Sequence, residues 1–363
     1  MTDRIREFLH DEAAGGLAIL AATVVALLWA NVGPGYDGFW HTELGPLDLH
    51  HWVNDALMAL FFLVVGLEIK REFVDGRLQS PRAAALPAIA AVGGVLAPIV
   101  IFVVLIAGGE GAEGWAIACA TDIAFAVGLI AVLGDRVSEG TRVFLLAVAI
   151  VDHIIAIAII AIFYAEAVSV LWLLAAAVLA VAVKRLPRLW IPLGIALWIA
   201  VHEAGVHATI AGVTVGLLLP VALGERVEHR LHPWSAFLVV PLFALANAGV
   251  DFGGGVLGDA LGSRLTWAIV AGLVIGKLLG ISGATLGALR AGGTLPEGMP
   301  RPQLAGVAAA AGIGFTVSLF IAELAYDDPA LVERAKVGIF AGSVISGILG
   351  VLLLSVASRA RRV

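Results

Sequence analysis

Long apolar stretches separated by short polar ones run along the whole chain. A helix must cross about 30 Å of hydrocarbon, so roughly 20 mainly apolar residues mark a span, and fewer suffice where a helix is interrupted. Twelve segments fit: 13–31, 53–69, 83–107, 114–134, 143–165, 168–183, 189–201, 204–223, 235–250, 266–289, 303–325 and 337–357. The seventh is the shortest. The first follows Arg4 and Arg6 and has the outline of a leader peptide. It is longer than the apolar core of a leader, lacks a small-x-small cleavage site and precedes many further spans, so it reads as the first span.

The expected fold class is therefore an all-α polytopic membrane protein with twelve transmembrane helices. Composition agrees: of 363 residues, 61% are hydrophobic and only 14% charged, and the mean hydropathy of +1.02 lies far from that of soluble domains. The formal charge of -6 is spread along the chain, which excludes a nucleic-acid patch or a polybasic lipid-binding tract. A single cysteine, Cys119, cannot form an intrachain disulfide. No motif requires a cofactor.

Basic residues test the span count independently, because a missed span would scramble their alternation between loops. With the N-terminus in the cytoplasm, Arg264, Arg334 and Lys336 fall outside and Lys277 lies within a span. All the others, including Arg77, Arg361 and Arg362, fall inside. Both termini are thus expected in the cytoplasm, at the cytoplasmic (inner) membrane. The loops are too short for a soluble domain, so residues 1–363 read as one membrane domain. The longest connections are an outer segment at 32–52, a candidate hairpin, and an inner one at 224–234.

Spans three to five and ten to twelve lie seven apart, and an odd offset makes them enter the membrane from opposite sides, as inverted repeats do. The middle of span four reads CATDIAF and that of span eleven AAGIGFTVS. Each is a candidate interruption, and interruptions in corresponding places of inverted repeats point to an ion or substrate site near the midplane. Glycines that merely allow close helix packing are the alternative for span eleven.

An aspartate or lysine at the centre of a membrane helix costs about 2.5–3.5 kcal/mol on insertion scales, so each is a functional candidate. Asp122 is ninth of 21 residues in span four, Asp152 tenth of 23 in span five and Lys277 twelfth of 24 in span ten. At matched depth, a lysine facing two aspartates offsets their desolvation, and a carboxylate freed from it becomes a site for a proton or a small cation. A purely structural ion pair is the alternative. Sodium, a hard cation, takes oxygen ligands, which Asp152, Asp122, the Thr121 hydroxyl and carbonyls near 120–122 supply. A site where cation and proton compete, opening alternately to each side, is an antiporter. Lys277 is either a fixed partner or a proton carrier.

The stretches FFLVVGLEIKREFVDGRL, CATDIAFAVGLIAVLGDRV, VHATIAGVTVG, LHPW, PLFALANAGV, IGKLLGIS and GIGFTVSLFIAELA, in this order, closely resemble the NhaA-type sodium/proton antiporters across nearly the whole chain. That family is itself a source of the rule about inverted repeats and broken helices, so the two readings are not independent. The resemblance implies two discontinuous crossing helices, in spans four and eleven, and exchange of sodium or lithium for protons across the inner membrane. It also implies a possible homodimer through the outer segment between spans one and two. Matched by motif, Asp122 and Thr121 correspond to the family's discontinuous helix and Lys277 to its essential lysine. Glu68, Arg71 and Glu72 of GLEIKRE, with His229 of EHRLHPW, correspond to a cytoplasmic cluster tied to pH activation. For His229 an ordinary loop histidine is the alternative, and the Glu68–Glu72 run is alternatively a headgroup anchor.

The chain departs from the family at span five. The usual motif is two aspartates followed by Leu-Gly-Ala, whereas here it is Asp152, His153, Ile154, Ile155 and Ala156. The resemblance implies that the first aspartate, Asp152, is the lysine's partner, and that the missing second carboxylate is the one the family uses as main cation ligand and proton acceptor. His153 is a competent proton acceptor but a poor sodium ligand. Weakened or altered cation binding, changed stoichiometry or lost transport are the expected consequences. A histidine bonded to a neighbouring backbone carbonyl is the bland alternative.

Two rivals remain. One is a degenerate transporter that keeps the fold but, because of His153, has altered or lost cation transport and binds something else or acts as a sensor. The other is an intramembrane protease, for which GISG at 280–283 supplies a candidate nucleophile, Ser282, with His153 or His207 as base.

Overall fold

The computed structural model describes residues 3–33, 35–76, 78–165, 167–253 and 255–359; Arg77, Arg361 and Arg362, counted above among the inner basic residues, lie outside them. Each of the twelve expected segments is occupied by helix. In chain order the main helices are α1 (Asp3–Val32), α2 (Leu49–Val74), α3 (Pro81–Ile106), α4 (Ile123–Leu133), α5 (Glu139–Phe163), α6 (Val170–Arg185) and α7 (Trp190–Glu203). They continue as α8 (Thr209–Leu218), α9 (Val221–Trp234), α10 (Val240–Asn247), α11 (Arg264–Arg290), α12 (Gln303–Ala310), α13 (Phe315–Ala325) and α14 (Pro329–Arg359). A 3-10 segment, Ala112–Cys119, precedes α4.

Among the described residues, seven helices are individually long and apolar enough to cross a membrane, and two bent pairs raise the number to nine. In α12 and α13 the bend is 42°, a broken span; between α6 and α7 it is 114°, which turns the chain back past a right angle into two short helices. Pro187 makes that turn, since its ring admits no helical continuation from the preceding residue. The remaining expected spans are the short α8 and the π-helical turn Ser235–Val239 running into α10.

The chain divides into two compact units: residues 1–17, 81–156 and 250–363 form one, and 18–80 and 157–249 the other. The first unit holds spans three and four, span five as far as residue 156, and spans ten to twelve, nearly all of the two triplets that sequence symmetry relates. Within it α3 packs along α11 at very short range: a Cβ on Gly280 would collide with the Gly93 carbonyl, and one on Gly276 with Pro98. Small residues at such crossings let backbones approach where lipid supplies no hydrophobic drive.

The second unit is organised on α2 and α8. A Cβ on Gly212 would strike the Ala59 carbonyl, and one on Gly66 would lie 2.7 Å from the Val213 carbonyl. Leu63, Leu67, Leu197, Val215 and Leu219 close the core around this contact. The outer segment does form a hairpin, with Glu43 opposite Asp48 and Leu44 opposite Leu47. Asn54 and Asn247 exchange side-chain hydrogen bonds of 3.2 and 2.8 Å, tying α2 to the end of α10.

Gly212→Val is expected to cost about 1–3 kcal/mol through overpacking and to lower the unfolding temperature of the purified protein in detergent. Gly283→Val, at a position with nothing within 4 Å, should leave it unchanged.

Candidate functional site

Two helix breaks meet in the first unit. Residues 120–122 are extended between the 3-10 segment and α4, and residues 311–314 separate α12 from α13. A break exposes N–H and C=O groups that the bilayer cannot satisfy, and each break here supplies partners to the other. The Asp122 N–H donates to the Ile313 carbonyl (2.6 Å), the Thr121 hydroxyl to the Ala311 carbonyl (2.7 Å) and the Ser318 hydroxyl to the Ile117 carbonyl (2.7 Å). This mutual satisfaction makes the two interrupted helices cross at their breaks.

Asp122, 3% exposed, caps two helices at once. One carboxylate oxygen accepts from Phe125 N (3.2 Å) at the start of α4; the other accepts from Thr316 N (3.0 Å) and the Thr316 hydroxyl at the start of α13. A single negative charge thus faces the positive ends of two helix dipoles. Lys277 serves the opposite pole. Fully buried, it donates to the Cys119 carbonyl at the end of the 3-10 segment, to Thr121 Oγ1 (3.1 Å) and to both oxygens of Asp152 (3.0 and 2.9 Å). A π-helical turn, Gly272–Gly276, immediately precedes it in α11. One extra residue in the turn re-aims the side chains that follow, which is why such turns recur at functional sites.

The expectation that Lys277 faces both aspartates is met for Asp152 only, because no hydrogen bond or ion pair among the described residues joins it to Asp122. Asp122 is held instead by Thr316, a residue the sequence reading passed over. The available signal was its place as the first hydroxyl after the Gly-x-Gly interruption, where an N-terminal capping partner is needed.

His153 is 3% exposed, and its Nδ1 donates to the Ala149 carbonyl (3.0 Å), the i−4 bond foreseen as the bland alternative. It remains within electrostatic reach of Asp152, Asp122 and Lys277. Among the described residues, no three His, Cys, Asp or Glu side chains converge as a metal site, so a cation would rely on carboxylate, hydroxyl and carbonyl oxygens. Ser282 Oγ is buried without a hydrogen-bond partner, so among the described residues no histidine is bonded to it as a base.

In the second unit Arg71 pairs with Glu228, not with His229. Glu228 is buried and His229 exposed, since adjacent residues on a helix point about 100° apart. His232, one turn on from Glu228, is the histidine in electrostatic reach, together with Glu72 and Glu225. The motif match pointed to His229, and only packing shows which side chain turns inward. Burial raises the Glu228 carboxyl above its ordinary value of 4.5. Arg71 opposes this but is 37% exposed, so water screens its charge.

Lys277→Ala would strand a buried carboxylate and is expected to cost about 3–5 kcal/mol, seen as a lower unfolding temperature, with much of it recovered in Lys277→Met/Asp152→Leu. The native state holds the Glu228 proton more tightly than the unfolded chain does. Its contribution to stability is therefore full below pH 4.5 and declines as pH rises through the elevated folded-state value. Melting curves of Glu228→Gln across that window should lack this part of the slope.

The family model described as Na+/H+ antiporter 1 matches residues 6–354. The chain is similar to an Na(+)/H(+) antiporter NhaA of Rhizorhabdus wittichii, 48% identical with 96% of this chain and 97% of the relative covered. It is also similar to Na(+)/H(+) antiporter NhaA 1 of Novosphingobium aromaticivorans, 46% identical (96% and 89% covered). The NhaA antiporter of Caulobacter vibrioides is 44% identical (98% and 91% covered).

Proposed function

This chain belongs to the Na+/H+ antiporter 1 family, and from that membership and the geometry above we propose that it exchanges sodium, or lithium, for protons across the cytoplasmic membrane. The observation that carries the reading is Lys277, wholly buried and bound through both oxygens to Asp152 beside the crossing breaks. A cation reaching Asp152 must displace the ammonium, and a proton delivered there loosens the same pair. Competition for one carboxylate couples the two fluxes without a covalent step.

Asp152 is then the exchangeable ligand, Asp122 the anion that keeps the crossing intact and lends its field to the ion, and Thr121 a hydroxyl shared between the lysine and α12. His153 stands where the family motif has its second aspartate. The inner cluster of Glu68, Arg71 and Glu72 senses pH, with Glu228 in the place first given to His229. Both termini lie in the cytoplasm, the whole chain works as one membrane domain in the lipid bilayer, and a second copy joins through the outer hairpin. No observation favours the protease or the inactive transporter.

Purified protein in proteoliposomes carrying a pH-sensitive dye should release protons when sodium is added. Asp152→Asn and Lys277→Ala should each lower the rate by about tenfold or more, the size expected when a buried charge pair is broken. An unchanged rate in Asp152→Asn would remove the proposed ion site.

A further inference from the structure

We propose that His153 sets the selectivity among alkali cations, making a weak-field site that takes sodium ahead of lithium. This deepens the antiport reading and rests on it. The starting point is what His153 can offer. The Ala149 carbonyl only accepts, so Nδ1 carries a proton; in the neutral ring Nε2 is then the one nitrogen with a lone pair, and in the protonated ring neither nitrogen has one. Either way, His153 brings no anionic oxygen to the sequence position after Asp152, where the family motif supplies one.

The two carboxylates that remain are already engaged. Both oxygens of Asp152 accept from the Lys277 ammonium. One oxygen of Asp122 takes the Phe125 amide and the other takes both the amide and hydroxyl of Thr316. One carboxylate is compensated by a full positive charge and the other by two helix N-termini. With no cluster of three acidic, histidine or cysteine side chains among the described residues, the balance of the ion's shell falls to carbonyl and hydroxyl dipoles.

Field strength decides selectivity in such a site. A smaller cation holds its water more tightly, and only concentrated negative charge repays its dehydration, as the reluctance of magnesium relative to calcium illustrates. Lithium is the smaller of the two ions. Once the ammonium is displaced, Asp152 offers the ion its carboxylate while Asp122 stays compensated by its helix ends, and a site with one carboxylate fewer than the family motif supplies penalises lithium more than sodium. His153→Asp restores the strong field, whereas His153→Asn, a neutral side chain that also carries an oxygen, separates charge from mere oxygen ligation.

The test is the concentration dependence of proton release by the full-length protein in proteoliposomes, with sodium or lithium added to the parent, His153→Asp and His153→Asn. Cation-induced thermal stabilisation of each purified protein serves as an activity-independent readout. In the parent, half-saturation should require about threefold or more lithium than sodium, a margin of roughly half a decade in affinity. His153→Asp should invert the order and His153→Asn should keep it. Lithium saturating at or below the sodium concentration in the parent, or an order unchanged by His153→Asp, would overturn the selectivity proposal while leaving antiport in place. Folded proteins that release no protons with either ion would overturn the antiport reading itself. Flux confined to His153→Asp would overturn both for the parent chain.

Discussion

A lysine with no exposed surface, gripped by a carboxylate that is itself 1% exposed, is the interaction on which the first unit depends. Neither Lys277 nor Asp152 is tolerable alone at that depth, and together they leave spare donors on the ammonium. Those donors reach Thr121 and the Cys119 carbonyl, so the ion pair also closes the end of the interrupted span four. The pair is not an isolated bridge. It fastens α5, α11 and the break before α4 to one point.

The crossing of the two breaks follows from backbone accounting. Interrupting a membrane helix frees groups that lipid cannot satisfy, so one break alone is prohibitive and two that exchange partners are not. Asp122 and Lys277 divide the remaining electrostatics by sign: the carboxylate faces two helix N-termini, and the ammonium faces a carbonyl end. Glycines at the α3–α11 contact bring the backbones close enough for this arrangement, and the π-helical turn before Lys277 sets its aim.

His153 is the chain's own variation on this plan. Its ring is anchored to its own helix, which makes it a stable part of α5 that carries no carboxylate. The replacement leaves the Asp152–Lys277 pair standing and changes what a cation would meet beside it.

Much was legible in the sequence by itself: the spans from apolar run length, the connection that forms a hairpin, both interruptions from CATDIAF and AAGIGFTVS, and the three buried charges from their depth. These are one-dimensional properties, imposed by bilayer thickness and by the cost of charge in hydrocarbon, and they hold whatever the helices touch. That Lys277 leaves Asp122 aside, that Thr316 holds Asp122, and that Glu228 rather than His229 meets Arg71 were decided by the tertiary structure. Each depends on helix rotation and on contacts between segments up to 194 residues apart, as for Asp122 and Thr316. An Asp122 with two helix ends to cap and an Asp152 with none look alike by depth in the sequence; family resemblance pointed the lysine to Asp152, and only the packed fold supplies the reason, that Asp122 is already held by helix ends.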